Sequence, residues 1–219
     1  MSMENILEIV DHTALKAITS WSEIQQLCEE AIQYHTASVC IPPSFVKRAA
    51  EQYGKYLTIC TVIGFPLGYN TTETKVFETE NAVANGASEI DMVVNLGDVK
   101  DKKFTKITQE IAAVKKAAGD HILKVIVETC YLTEEEKICL CQCITEAEAD
   151  FIKTSTGFGT SGACVEDIEL FKRHIGSHVR IKVAGGIRTQ EDLERFYRSG
   201  VHRIGASSAV NVEKKEATK

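Results

Sequence analysis

The sequence predicts an α/β fold, a (β/α)8 TIM barrel that forms a single domain over residues 1–219. Three observations predict it. Short runs rich in Val and Ile alternate with amphipathic stretches from end to end. Eight such runs are present, and no linker, low-complexity tract or charge block interrupts them. A doubly wound open sheet is the alternative that the same alternation allows.

In chain order the strand runs are Ile9–Thr13, Ser38–Ile41, Leu57–Ile63, Ile90–Asn95, Leu123–Glu128, Phe151–Ser155, Arg180–Ala184 and Arg203–Ala206. Most are nearly continuous apolar runs, as expected of parallel strands covered on both faces. Helical periodicity fills the intervals, most clearly over Phe104–Ala118 and Thr133–Glu148. Capping patterns open three helices, at Ser20-x-x-Glu23, Asn70-x-x-Glu73 and Thr133-x-x-Glu136. Gly86, Gly119, Gly176 and Gly200 stand where helices should close. The polar residues Glu213–Lys219 are expected to fray.

Composition narrows the function classes. Hydrophobic residues make up 44% and charged residues 26%, ordinary for a soluble globular chain. A net charge of -6 argues against nucleic acid as the main partner. No apolar run is long enough to span a bilayer, so no membrane partner is expected. The polar start, Met1 to Asn5, does not read as a signal peptide. Cysteines 28, 40, 60, 130, 139, 141, 143 and 164 are scattered through a chain with core enough to need no staples. They read as reduced thiols, and the expected location is cytoplasmic. Cys139, Cys141 and Cys143 fall in a helical pattern where only the first and last share a face. No Cys-x-x-Cys or paired His completes a site there, so no metal is expected.

Barrel chemistry sits at the C-terminal ends of the strands. Asp91, Lys153 and Lys182 are ionisable residues inside apolar strand runs, and lysine is almost never buried without a partner. If Lys153 and Lys182 lie on neighbouring strands, their backbones are about 4.8 Å apart. Two ammonium groups about 5 Å apart repel by about 3 kcal/mol at an effective dielectric near 20. That corresponds to about two pKa units, and burial acts in the same direction. The expectation is that one lysine is partly neutral and can attack a carbonyl. Asp91 would relay protons, and Asp11, at the end of the first strand, would support the network. The bland alternative is a buried ion pair that closes the barrel. His12 reads more readily as a hydrogen-bonded structural residue than as a catalytic one.

Three loops suit a phosphate. Gly157-Phe158-Gly159 follows the sixth strand, Gly185-Gly186-Ile187-Arg188 the seventh, and Gly205-Ala206-Ser207-Ser208 the eighth. Glycines let backbone amides approach an anion, and the last two loops are the recurrent phosphate site of this fold. Taken singly, each is a common Gly-rich turn, Ser207 an N-cap and Arg188 a surface charge.

These residues carry a resemblance. The segments Val10–Leu15, Val39–Pro42, Gly64–Gly68, Glu89–Asn95, Phe151–Gly157, Lys182–Arg188 and Arg203–Ser208 resemble the deoxyribose-phosphate aldolase family, in its order and across nearly the whole chain. The resemblance implies a barrel with no metal or organic cofactor, acting on a phosphosugar and an aldehyde. The implied reaction is reversible cleavage of 2-deoxy-D-ribose 5-phosphate to D-glyceraldehyde 3-phosphate and acetaldehyde, with the scission read at C3–C4. It implies Lys153 as the Schiff-base residue and Lys182 as the group that lowers its pKa. Asp91 would be general acid and base, with Asp11 supporting. Gly157, Gly185, Gly186, Ser207 and Ser208 would hold the phosphate with Arg188 nearby, and Cys40 would line the pocket. A homodimer is expected by resemblance and by base rate. Some members place a C-terminal tyrosine in the pocket, and this chain has none after Tyr197; some have lysine where Phe158 stands. A transaldolase-like enzyme and a non-catalytic phosphosugar-binding protein remain the competing expectations.

Overall fold

A computed structural model describes residues 3–216, and in it eight parallel strands close in chain order into one barrel. β1 (Val10–Thr13) leads to α2 (Trp21–Gln33), β2 (Ser38–Ile41) to α3 (Val46–Tyr53), and β3 (Ile59–Ile63) to α4 (Thr72–Ala84). β4 (Glu89–Val93) is followed by the short α5 (Leu96–Lys100) and by α6 (Phe104–Ala118). β5 (Ile122–Ile126) leads to α7 (Glu134–Glu146), β6 (Phe151–Lys153) to α8 (Val165–His174), β7 (Arg180–Ala184) to α9 (Gln190–Arg198), and β8 (Arg203–Ala206) to α10 (Ala209–Glu216). A short α1 (Met3–Leu7) precedes β1 and packs on α9 and α10.

All eight strands lie where the apolar runs put them, and the open-sheet alternative falls with the pairing of β8 to β1. The runs overshoot the ladders at β4, β5 and β6. Apolar residues such as Val94 and Val127 continue past the last paired position because the first residues of these loops stay buried. Capping boxes are present at Ser20 and Thr133. The α4 cap falls one residue later than expected. Thr71, not Asn70, accepts the Thr74 amide at 3.3 Å. Gly119 closes α6 at φ 59°, whereas α8 stops at His174 with Ile175 extended, so Gly176 closes nothing. Residues 213–216 continue α10, which corrects the expected fraying there; residues 217–219 lie outside the described residues.

The strands have two faces of different character. Val10, Val39, Ile59, Ile90, Leu123, Ile152, Ile181 and Ile204 belong to the apolar core, together with buried residues of the helices. Strand side chains alternate, so the residues between these point into the barrel. That second set includes Asp11, Cys40, Cys60, Asp91, Lys124, Lys153, Lys182 and Arg203. The hydrophobic sleeve between sheet and helices, at about 1.5–3 kcal/mol per buried aliphatic side chain, stabilises the barrel. The lumen it encloses is ionic.

Candidate active site

The charged lumen residues come from neighbouring strands in matched register. Asp91 pairs across to Lys124, Lys153 to Lys182, and Lys182 to Arg203. One oxygen of Asp91, Oδ2, accepts from Lys153 Nζ at 2.7 Å and from Lys182 Nζ at 2.6 Å. The other, Oδ1, accepts from Lys124 Nζ at 3.0 Å and from Cys60 Sγ at 3.2 Å. Below this, Lys182 Nζ lies 2.5 Å from Asp11 Oδ2. Arg203 reaches Asp11 at 2.5 Å and Glu89 at 2.8 Å. Lys124 Nζ lies 2.6 Å from Glu89, and Ser38 Oγ donates to Asp11 Oδ1 at 2.8 Å. Gly205 leaves room for this packing, since a Cβ there would stand 3.3 Å from Lys182 Cε.

Burial alone would neutralise every group in this cluster. Opposite charges win instead. Asp91 is held well below the ordinary carboxylate range, because Lys124, Lys153 and Lys182 outweigh its desolvation. Asp11 is held low likewise, against desolvation, by Lys182, Lys124 and Arg203. Desolvation would lower Lys182, yet Asp11 and Asp91 raise it above the usual lysine range. Lys124 is raised for the same reason, with Asp91 the main partner.

Repulsion between the two lysines is only one part of this balance. Lys153 and Lys182 do lie side by side, but both point at the same oxygen of Asp91, which screens one from the other. The two carboxylates favour the ammonium form of Lys182, in keeping with the expectation that Lys182 is the charged neighbour of the Schiff-base lysine. Its line to Lys153 runs through a shared acceptor, which is the geometry of a proton relay.

A cavity of about 510 Å³ opens above the C-terminal ends of the strands. Lys153 is on its wall, while Asp91, Lys182, Lys124 and Asp11 lie beneath and are not. Gly157, Gly185, Gly186, Arg188 and Ser207 also line it, so five of the phosphate candidates share one chamber with the lysine. Gly157 (φ 87°) and Gly185 (φ 84°) take conformations that favour glycine, and a Cβ at Gly185 would also stand 3.1 Å from Gly162 Cα. Two candidates stand elsewhere. Ser208 donates its hydroxyl to Ile187 O at 3.2 Å and supports the loop. Cys40 is buried in the lumen against Cys60 and Val62, off the cavity wall. His12 lines the cavity, with Nε2 2.9 Å from Glu30, and burial lowers its pKa despite that carboxylate.

The DeoC/LacD family aldolase model matches residues 6–211. The chain belongs to the DeoC/LacD family of aldolases. A deoxyribose-phosphate aldolase from Clostridium botulinum (strain Alaska E43 / Type E3) is 56% identical over 218 residues, 100% of this chain and 99% of the relative. One from Clostridioides difficile (strain 630) is 56% identical, with 99% of each chain covered. Among solved structures, the aldolase QR15 superposes with a TM-score of 0.93 at 36% identity, covering 98% of this chain and 96% of that one. The tetrameric deoxyribose phosphate aldolase of Aeropyrum pernix gives 0.90 at 28% identity, covering 99% and 93%.

In this DeoC/LacD aldolase the sequence reading missed Lys124, Glu89 and Arg203. Lys124 had the same signal as Lys182, a lone lysine inside an apolar strand run, Ile-Leu-Lys-Val-Ile. Glu89 and Arg203 open their strands and look like boundary charges, but the pleat turns both inward. Cys40, Cys60 and Asp91 bring three potential metal-ligand atoms within 4.8 Å of one another. Lys124 Nζ stands 3.4 Å from Cys60 Sγ and 3.0 Å from Asp91, so a cation there would face an ammonium already in place. Burial pushes the Cys60 thiol further from the thiolate a metal needs. Among the described residues no helix is long and apolar enough to cross a membrane.

Proposed function

We propose that this aldolase cleaves 2-deoxy-D-ribose 5-phosphate reversibly to D-glyceraldehyde 3-phosphate and acetaldehyde through a Schiff base on Lys153. The carrying observation is that Lys153, alone in the charged cluster, lines the cavity, which it shares with the Gly-rich loops.

The free amine of Lys153 attacks the C1 aldehyde, and the Asp91–Lys182 pair shuttles the protons that carry the carbinolamine to a protonated imine. The carbon count moves the scission from C3–C4 to C2–C3. An iminium at C1 takes up the electron pair of the bond one carbon away, and only that cut gives a two-carbon and a three-carbon aldehyde. The C3 hydroxyl loses its proton as C2–C3 breaks, and glyceraldehyde 3-phosphate leaves. The enamine is then protonated at C2, and water releases acetaldehyde and the lysine. The charge count suits these steps. Asp11, Glu89 and Asp91 face Lys124, Lys153, Lys182 and Arg203. A neutral carbinolamine on Lys153 leaves three cations against three carboxylates.

Gly157, Gly185, Gly186 and Ser207 hold the phosphate through loop amides and the hydroxyl, with Arg188 at the rim and Ser208 bracing the loop. The protein works as a homodimer without added metal or cofactor, in the cytoplasm. Borohydride trapping with acetaldehyde, followed by peptide mapping, tests the reading. The expected result is a stable adduct on Lys153 that is absent in Lys153→Ala. Phosphosugar binding without any adduct would instead make the cluster structural.

A further inference from the structure

Glu128 follows β5 in the left-handed region, at φ 55° and ψ 65°. It is buried, and both carboxylate oxygens are directed at one residue across the barrel rim. Oε1 accepts from the Thr156 amide at 3.1 Å, and Oε2 accepts from the Thr156 hydroxyl. The same hydroxyl oxygen accepts from the Phe158 amide at 3.0 Å, closing a turn around Gly157. Gly159 rests on the carboxylate, since a Cβ there would stand 3.1 Å from Glu128 Oε1 and 2.7 Å from Cys130 Sγ. Among the described residues Glu128 has no ion-pair partner. A carboxylate in a strained backbone conformation, buried at the edge of a site that must hold an anion, is costly on all three counts. Its hydrogen bonds go entirely to the loop that carries Thr156, Gly157 and Phe158, all on the cavity wall.

That loop also sets its neighbour. The Ala163 amide donates to Ala184 O at 3.2 Å and to Gly185 O at 3.3 Å, and Gly185 and Gly162 are in backbone contact. The clamp at Thr156 therefore fixes one wall of the phosphate half of the cavity while leaving Lys153 on its own strand.

We infer that Glu128 is a positioning residue for phosphate capture: its two-oxygen grip on Thr156 holds the 156–159 loop in the form that receives the phosphate, and it takes no part in the carbon chemistry. The inference rests on the phosphosugar reading of the cavity. A glutamine at 128 keeps the shape but can accept from only one of the two Thr156 donors. Valine at 156 keeps the volume and removes the hydroxyl.

The test compares 2-deoxyribose 5-phosphate with unphosphorylated 2-deoxyribose in E128Q, T156V and the double variant. KM for the phosphorylated sugar should rise about tenfold in each single variant, a change of about 1.4 kcal/mol, with kcat within about twofold. Activity on the unphosphorylated sugar should change by less than about twofold, and borohydride trapping of acetaldehyde on Lys153 should persist. The double variant should be no worse than either single one, because both remove the same grip. An unmoved KM, additive losses, or equal losses on both sugars would overturn the assignment. If E128Q does not fold, T156V decides by the same readings. Failure of acetaldehyde trapping in the parent protein would sink the phosphosugar aldolase reading itself, which is a separate result.

Discussion

Replacing Lys124 by Met keeps the stem of a fully buried side chain and removes its charge. Lys124 Nζ bridges Glu89 at 2.6 Å and Asp91 at 3.0 Å, with Asp11 at 3.9 Å. The remaining cluster would still balance, with Lys153, Lys182 and Arg203 against three carboxylates. The loss is therefore of position: Glu89 Oε2 and Asp91 Oδ1 give up their nearest cation in a place that water does not reach. Removing one partner of a buried pair costs about 3–5 kcal/mol, and the retained balance places this variant near the lower figure. At about 2–4 °C per kcal/mol for a chain of this size, the melting temperature should fall by on the order of 10 °C. The acid limb should move as well. Asp91 and Asp11 both titrate below their unfolded values, so their contribution is complete above those values and is lost as pH falls through the folded ones. Lys124 helps hold both low, so the variant should acid-unfold at higher pH than the parent. Lys100→Met serves as the control. Lys100 is about half exposed beside Glu136 at 2.7 Å, and such a bridge contributes at most about 1 kcal/mol. Calorimetry and acid titration of the three proteins decide the matter. A Lys124→Met protein that melts within about 2 °C of the parent and shares its acid midpoint would refute this account of the lumen.

Three further outcomes are expected. Asp91→Asn should lower kcat by about 10²–10⁴-fold and slow borohydride trapping in step; a loss under about tenfold would remove Asp91 from the relay. Arg188→Ala should raise KM for the phosphorylated sugar by about 10–100-fold, as for one hydrogen bond to a charged group, and leave unphosphorylated deoxyribose unaffected; equal effects on both would place Arg188 away from the phosphate. Burial lowers the His12 pKa below 6.5 although Glu30 opposes it, so its folded form resists protonation and stability should drop as pH falls below that value. Glu30, held near 2 against desolvation by Lys214, His12 and Gln26, adds a second loss between 4.5 and about 2. His12→Gln should flatten the first decline in urea midpoints and keep the second; parallel declines in both proteins would contradict the assignment.

The legible and illegible parts of the site differ for a physical reason. Lys153 and Lys182 stood out because a buried lysine is expensive, and its cost shows against apolar neighbours in a single strand. The phosphate loops stood out because glycine clusters mark close backbone approach. What makes the lysines affordable is distributed over other strands. Asp11 comes from β1, Glu89 and Asp91 from β4, Lys124 from β5 and Arg203 from β8, and barrel closure alone brings Arg203 to Glu89 across 114 residues of chain. Pairwise repulsion between two lysines is thus only one part of the balance. A lone pair would depress one amine, whereas the closed lumen inserts a carboxylate oxygen between them and keeps Lys182 charged. Glu128 was harder still to see, because its strained backbone and its two hydrogen bonds to Thr156 exist only once β5 and β6 are paired. A buried charge can be read from the apolar residues of its own strand, but its partners, assembled by topology, can be read only after the strand order is known. In this barrel those partners hold the legible lysines in place.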